Sequence, residues 1–460
     1  MFNWQLADAM DSQWELRETD DIWLPALPSH WSIRPMKSLF DERSVKGHPN
    51  EPLLAASQSR GVVTKEEYGL RTVVAQSGLE SLKLVEPGDF VISLRSFEGG
   101  IEVSHARGII SPAYTVLRLK NQQQQRFIMR LLKSRYFLDA IRMSVTGIRE
   151  GQSINYSRLG TTDIPIPTEG DMLAINRFLD HAELRIARAL QAKEMELSGV
   201  IELRTATVAR EILGSRTSKV LNPYLPYRVP DHWQVVPLWS VAPLRSDSGH
   251  GNEQLLSVYL NRGVILYSES GGQVHKPSAS LDAYQLVEPG DLVLNNQQAW
   301  RGSVGVSSHR GIISPAYVVC ALDSRIDWTW ANFLFRSPAM VDQFVMASRG
   351  VGSIQRQLHM QSLRRIMVPL PPLEDQRETG VRLSNSIREL DEMAISIQRE
   401  IDLLREYRTR LIADVVTGKK DVRAEAANLP EVDPLELAQV LSGASVIEDD
   451  VEEEVSADAD

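Results

Sequence analysis

The chain has 460 residues, 43% of them hydrophobic, and a formal net charge of −10. That length allows about three domains, and the hydrophobic share is ordinary for a soluble globular protein. No apolar run approaches the ~20 residues that span a bilayer, so a membrane-embedded chain is set aside.

The stretch 1–21 carries acids early and has no apolar core, so it does not read as a signal peptide. The single cysteine, Cys320, sits in the apolar run 318–322. It reads as a buried, inert thiol, and the expected compartment is the cytoplasm. The acid is unevenly spread. Residues 424–460 hold twelve Asp and Glu and no Lys or Arg, which leaves 1–423 at +2. The tail is poor in aromatics and carries one sign of charge, so it is expected to be disordered. With it set aside, a local basic face is allowed.

In chain order, a repeat is the first signal. Pro28-Ser-His30-Trp31 returns as Pro230-Asp-His232-Trp233, and Arg60-Gly61-Val62 as Arg262-Gly263-Val264. Leu84-Val-Glu-Pro-Gly-Asp89 returns as Leu286-Val-Glu-Pro-Gly-Asp291, and Arg107-Gly-Ile-Ile-Ser-Pro-Ala-Tyr114 as Arg310-Gly-Ile-Ile-Ser-Pro-Ala-Tyr317. The middles, 93–106 and 295–309, differ almost completely. The offset grows from 202 to 204 by Ile164-Pro-Ile-Pro167 against Val368-Pro-Leu-Pro371. A period this long is a duplicated domain with its connector, not a solenoid.

Each copy begins mixed and sheet-rich. Glu-Pro-Gly-Asp places Pro and Gly where a type II turn needs them. Short β-branched runs at 90–92, 114–116, 292–294 and 317–319 predict strands. A helix is expected over 126–142 and over 328–347. The stretches 146–158 and 348–362 read as Gly-bearing loops running into a turn of helix, and the proline cluster then stops regular structure.

Each copy ends in a long helix without Pro, over 171–214 and 374–418. The apolar positions of the second are Leu383, Ile387, Leu390, Ala394, Ile397, Ile401, Leu404, Leu411 and Val415, a heptad seam broken at Arg408. In the first they are Leu179, Ile186, Leu190, Leu197 and Val200, with Arg204 matching Arg408. Two matched helices of about 40 residues, each ~60 Å long, favour pairing with each other.

Catalytic signatures are absent. No G-x-G-x-x-G opens a helix after a strand, and Gly418-Lys419 lacks the upstream glycine of a phosphate loop. Asn222-Pro223-Tyr224 carries only part of the Asn-Pro-Pro-Tyr pattern of amino-methyltransferases and reads as linker. The histidines never stand at metal-ligand spacing. His30 and His232, each before a Trp, suit packing and a local hydrogen bond. Asp89 and Asp291 sit where a turn favours Asp. No catalytic and no metal residues are assigned.

Binding residues are expected in the variable parts. Copy one offers Arg95, Ser96 and Phe97; copy two offers Asn295, Asn296, Gln297, Gln298, Trp300 and Arg301. Asn and Gln can bond adenine bidentately, and Arg guanine. The later loops add Arg149, Gln152 and Asn155 in copy one, and Arg349, Gln355, Arg356 and Gln357 in copy two. There Arg gives phosphate contacts while the amides reach bases. Arg60/Arg262 and Arg107/Arg310 occur in both copies, so they serve structure or phosphate, not discrimination.

These features together resemble the specificity subunit of type I restriction-modification systems over about residues 20–423. The resemblance rests on the Pro-x-His-Trp openings, the Glu-Pro-Gly-Asp turn and the Ser-Pro-Ala-Tyr element. It rests also on the entry Pro369-Leu-Pro-Pro-Leu-Glu-Asp-Gln376 and the exit Leu411-Ile-Ala-Asp-Val-Val-Thr-Gly-Lys419. Copy one departs at its helix exit, Arg210-Glu-Ile-Leu-Gly214, and the acidic tail is extra to the pattern.

The resemblance implies an α+β fold of two tandem mixed α/β target recognition domains. Two long helices separate them and form an antiparallel coiled coil, with approximate two-fold symmetry. The domains are then 1–168, recognition domain one with an N-terminal arm; 169–216, spacer helix one; 217–372, recognition domain two; 373–423, spacer helix two; and 424–460, the acidic tail. Each recognition domain is expected to read one half of a bipartite, asymmetric site on double-stranded DNA. The helices set the gap and dock two modification subunits, which join restriction subunits. The chain itself is expected to be non-catalytic and to bind no cofactor; S-adenosylmethionine, ATP and Mg belong to the partner subunits. The competing reading is a coiled-coil scaffold that touches no nucleic acid.

Overall fold

The computed structural model describes residues 14–441, apart from 58–59, 69–77, 94–99, 144, 147–152, 214–218, 222–224, 226, 261, 270–276, 279 and 352–354. The chain divides into two compact units. The first holds the chain up to Glu194 and the segment from Arg399 onward; the second holds Met195–Gln398. Both divisions fall inside a long helix, so each helix gives one half to each unit.

The two units repeat one sheet. In the first, β1 (Phe40–Arg43), β2 (Phe90–Ile92), β3 (Glu102–Val103) and β4 (Thr115–Leu119) pair antiparallel in the order β1-β4-β2-β3. In the second, β5 (Leu244–Arg245), β6 (Asp291–Asn295), β7 (Val304–Val306) and β8 (Tyr317–Ala321) pair in the order β5-β8-β6-β7. One face of each sheet packs a small core. Leu54, Val62, Val85, Val91, Ile110 and Val116 fill it in the first. Leu256, Val264, Val287, Val293, Ile313 and Val319 take the corresponding places in the second. Alternation along β2 and β6 sends every second residue to this face.

The repeated frame has structural duties. Gly88 and Gly290 take φ of +87° and +92°, as the third residue of a type II turn requires. The Asp89 carboxylate accepts the Glu86 N–H at 2.9 Å and pairs with Arg43 at 2.7 Å. Asp291 repeats this with the Glu288 N–H at 2.8 Å and Arg245 at 3.2 Å. Burial pushes both carboxyls above the usual range, against the opposing pull of the Glu N–H and the arginine. Arg107 bridges Glu51 and Glu86; Arg310 bridges Glu253 and Glu288. Behind each arginine a strand passes so close that a Cβ on Gly108 would lie 2.4 Å from the Pro52 oxygen, and one on Gly311 2.5 Å from the Gln254 oxygen.

The helices expected over 126–142 and 328–347 are each broken in two. α1 (Gln125–Leu132) and α2 (Arg135–Met143) meet at Ser134, whose Oγ receives the Phe137 N–H. α3 (Trp328–Phe335) and α4 (Pro338–Ala347) meet at Ser337, with Pro338 at the first helical position, where its missing N–H leaves no bond unmade. The stretch 348–362 also departs from the loop expected there. It contains an antiparallel hairpin, β9 (Ser348–Val351) with β10 (Gln355–Leu358), followed by the turn of helix. Cys320 is buried, and burial pushes its thiol up to about 12.

A strand next to the start of each copy pairs with the strand that leads into its helix. Ser32–Pro35 pairs with Asp163–Ile166, and Gln234–Pro237 with Met367–Leu370. Helix one (Glu169–Ile212) and helix two (Leu373–Val416) then run 44 residues each. Their entries are anchored by different devices. Buried Asp171 accepts the Trp31 Nε1–H at 3.1 Å and the Thr168 hydroxyl at 2.7 Å, and lies 2.7 Å from His30 Nε2. At helix two the fully buried Gln376 accepts the Asp327 N–H and donates to the carbonyls of Arg325 and Pro371.

Within each unit the helix halves run antiparallel. In the first, Glu183, Lys193 and Glu194 face Arg408, Glu400 and Arg405. In the second, Arg204 meets Asp391 at 2.8 Å and Glu211 meets Arg382 at 3.1 Å. Arg204 and Arg408, the breaks in the heptad pattern, are thus ion-pair positions. Leu179, Ile186, Leu190, Val200, Leu383, Ile387, Ile397, Ile401, Leu411 and Val415 are buried; Leu197, Leu390 and Leu404 are half-buried. Among the described residues no helix is long and apolar enough to cross a membrane.

The disorder expected from residue 424 onward does not hold for 424–441. Arg423–Ala427 forms a short helix, 434–441 is helical, and Ala426 and Leu437 are buried in the first unit. The apolar residues scattered among these acids suffice to seat the segment, and basic side chains of helix one meet the acids. Residues 442–460 lie outside the described residues.

Three predictions test this packing. Gly311→Ala should lower the urea-unfolding free energy of the second unit by about 1–3 kcal/mol, as for an overpacked site. Gly199→Ala, in open space on helix one, should be neutral or stabilise by about 0.5–1 kcal/mol. Arg130 is buried with Asp180 and Glu183, each 2.7 Å away. Arg130→Met leaves both carboxylates buried without it, so it should cost the first unit about 3–5 kcal/mol in urea unfolding.

Candidate nucleic-acid interface

The variable middle of copy two and its later hairpin come together in the second unit. The Leu358 N–H donates to the Asn296 carbonyl at 2.9 Å, tying β10 to the turn after β6. Trp300 stands in a 3-10 turn, Ala299–Arg301, that ends at Gly302. Its Nε1–H donates to the Gln297 carbonyl at 2.7 Å, which fixes the ring. The Arg356 guanidinium lies 5.3 Å from the ring centroid and that of Arg301 5.9 Å. Both contacts are cation–π, which holds two cations beside one aromatic face system.

The amides divide by role. Asn295 Oδ1 accepts the Gln297 N–H at 3.0 Å, so its side chain shapes the turn. Asn296 Oδ1 is buried without a hydrogen-bond partner. Gln298 is half-buried and its carbonyl receives the N–H groups of Arg301 and Ser303. Gln297 and Arg301 are exposed. On the hairpin, Arg349 stands opposite Gln357 and both are exposed, as is Arg356. Gln355 pairs with Val351 in the hairpin, and its side chain lies outside the described residues. The cluster is therefore Trp300 with Arg301 and Arg356, beside the exposed Gln297 of the same turn. Arg349 and Gln357 pair on the other face of the hairpin, since neighbouring residues of a strand alternate. The arginines attract phosphate, and the exposed amides can bond base edges.

Copy one is less fully described. Arg95, Ser96, Phe97, Arg149 and Gln152 lie outside the described residues. Asn155 caps a helical turn, with its Oδ1 accepting the Arg158 N–H at 3.2 Å, so that oxygen has a structural duty. The contact between Arg356 and Trp300 was not legible in the sequence, because they stand 56 positions apart; one polar-aromatic and one Arg- and Gln-bearing stretch in the same copy were the only signal. Among the described residues no group of three or more His, Cys, Asp or Glu could hold a metal ion.

The chain is similar in structure to a chain from a study of complex assembly and conformational transition of the type I R-M system, with a TM-score of 0.60 and 15% identity. The match covers 86% of this chain and 99% of that one. The two chains share a fold. Two further structures also match. One is the HsdS subunit from Thermoanaerobacter tengcongensis, at 14% identity and TM-score 0.42, covering 87% of this chain and 98% of that one. The other is the type I restriction-modification system S subunit from M. genitalium, at 13% identity and TM-score 0.31, covering 88% and 97%. No family model matches the chain, and no curated protein matches it by sequence.

Replacing Arg356 or Arg349 with Ala should weaken binding to any duplex about equally and lower the slope of log affinity against log salt by about one. Gln357→Ala should leave that slope unchanged. Fluorescence anisotropy on one labelled duplex across a salt series checks both.

Proposed function

We propose that this chain is the DNA-sequence specificity subunit of a type I restriction-modification complex and is itself non-catalytic. The observation that carries the reading is the Trp300 cluster, where arginines from two separate elements meet one aromatic ring, on a fold shared with a type I R-M chain. On this reading each globular domain reads one half of a bipartite site. The common frame builds the domain, and the variable middles give the two halves different sequences. The helices set the spacing between the half-sites and dock two modification subunits. Those subunits carry S-adenosylmethionine, and restriction subunits joined to them use ATP and Mg. The complex acts in the cytoplasm.

The chemistry follows from the residues. Arg301, Arg349 and Arg356 would hold the backbone electrostatically. Gln297 and Gln357 are the exposed amides that could bond adenine, and Arg301 could bond guanine. Asn295 and Asn155 are the weakest of the expected readers, since each already serves its own turn.

Mapping methylated adenines in cells tests the reading. Replacing Gln297, Arg301 and Gln357 together with Ala should abolish methylation or change the half-site recognised. An unchanged methylation map would leave the scaffold reading standing. Exchanging residues 220–370 for another recognition domain should change one half-site and leave the other intact. A change in both would overturn the two-domain model.

A further inference from the structure

Helix one carries a second stripe besides the seam. Arg177, His181, Leu184, Arg188 and Gln191 follow one another at spacings of four and three, so they line one face of the helix. The C-terminal segment lies along this face. His181 Nε2 is 2.6 Å from the Pro430 carbonyl, and Gln191 Nε2 donates to the Val440 carbonyl at 3.2 Å. Arg177 faces Glu431 at 3.7 Å, and Arg188 pairs with Glu436. Leu437 is buried, and so is Leu184 in the middle of the stripe.

Three observations set this contact apart from the rest of the packing. Its ion pairs are at the surface, with Glu431 90% exposed, Arg188 56% and Glu436 44%. Such pairs are worth little each. The corresponding stripe on helix two, 204 residues on, is Val381, Asn385, Arg388, Glu392 and Ile395, and all five are exposed, Val381 at 61% and Ile395 at 53%. A helix of this pattern therefore forms with the stripe open. The covering segment also lies beyond the internal repeat, so it is an addition to the duplicated plan and not part of it.

We propose that residues 428–441 are a displaceable cover over a protein-docking stripe on helix one, Arg177–Gln191. The occupant it competes with is a partner's acidic amphipathic helix, seated by one apolar anchor and paired with Arg177 and Arg188 as Leu437, Glu431 and Glu436 are now. This rests on the reading above in one respect: the partner is the modification subunit. Helix two has Val381 and Glu392 where helix one has Arg177 and Arg188, so a partner on that open face is held by other contacts, while helix one releases its own tail first. A cover closed nine-tenths of the time lowers the apparent affinity of a competitor about tenfold. The two docking events are thereby made unequal.

The test uses the full chain with the cover weakened, Glu436→Lys with Leu437→Asp. The first probe is a labelled peptide of sequence 429–441. It should bind the weakened chain measurably and the unaltered chain about tenfold more weakly. Arg188→Glu on the weakened chain should abolish that binding. Equal peptide binding to both forms, or binding indifferent to Arg188, overturns the cover. The second probe is the purified modification subunit, titrated by calorimetry. Its weaker site should tighten about tenfold in the weakened chain while the stronger site is unchanged. If the peptide behaves as expected and the modification subunit binds neither form, the reading of function fails and the stripe stands. If the subunit binds two sites that do not respond to the cover, the competition fails and the reading of function stands.

Discussion

Each globule depends on helix halves that come from far along the chain. In the second unit Val208 and Ile212 of helix one and Leu383 and Ile387 of helix two are buried in the same core as Leu334, Phe335 and Phe344. In the first, Arg130 of α1 is buried against Asn176, Asp180 and Glu183 of helix one. Apolar contact does the work in one case and a buried charge network in the other. Burying an isolated guanidinium is costly, and only the paired carboxylates make it tolerable. The helices are therefore part of the domains they connect. A recognition domain cut away at residue 168 would lose the partners of Arg130.

Against that constraint, sameness and difference between the copies have separate causes. The frame is the same where a turn, a close strand crossing or a two-acid bridge leaves no choice. The middles differ even though parts of them are buried, as Ala299, Val304 and Val306 are in the core of the second unit, while Gln297 and Arg301 are exposed. The helix entries differ in another way. Asp171 with Thr168 and Trp31 does for helix one what Gln376 does for helix two with three backbone partners. One job has two chemical solutions, so residue identity is a poor guide to role at that position.

Charge needs the same local reading. The overall charge of −10 belongs mostly to the C-terminal segment, and part of that segment is folded against basic side chains of helix one. The surface offered to a nucleic acid is set elsewhere, by two arginines beside one tryptophan. An acidic chain and a cationic face are compatible because the two belong to different units and exposed charges are screened over about 10 Å.

Much of the fold was legible in the sequence because it is encoded locally. The duplication, the type II turns at Gly88 and Gly290, the strand runs and the heptad positions from Leu383 to Val415 each depend on residues a few places apart. The two helix breaks were legible too, in Ser134 and in Ser337-Pro338, but the apolar periodicity running through them is the stronger signal. Other features needed the tertiary structure. Trp300 beside Arg356, Trp31 on Asp171, the hairpin 348–358 and Leu437 in its buried place all join residues whose pairing no local pattern announces. By itself the sequence determined that there are two copies of one domain, two long helices and two different variable stretches. Only the tertiary structure decided which variable residues share a surface, which are consumed by their own turns, and that half of the acidic tail is packed. The physical reason is that propensity and periodicity act along the chain, whereas exposure and partnership are set by what folds over it.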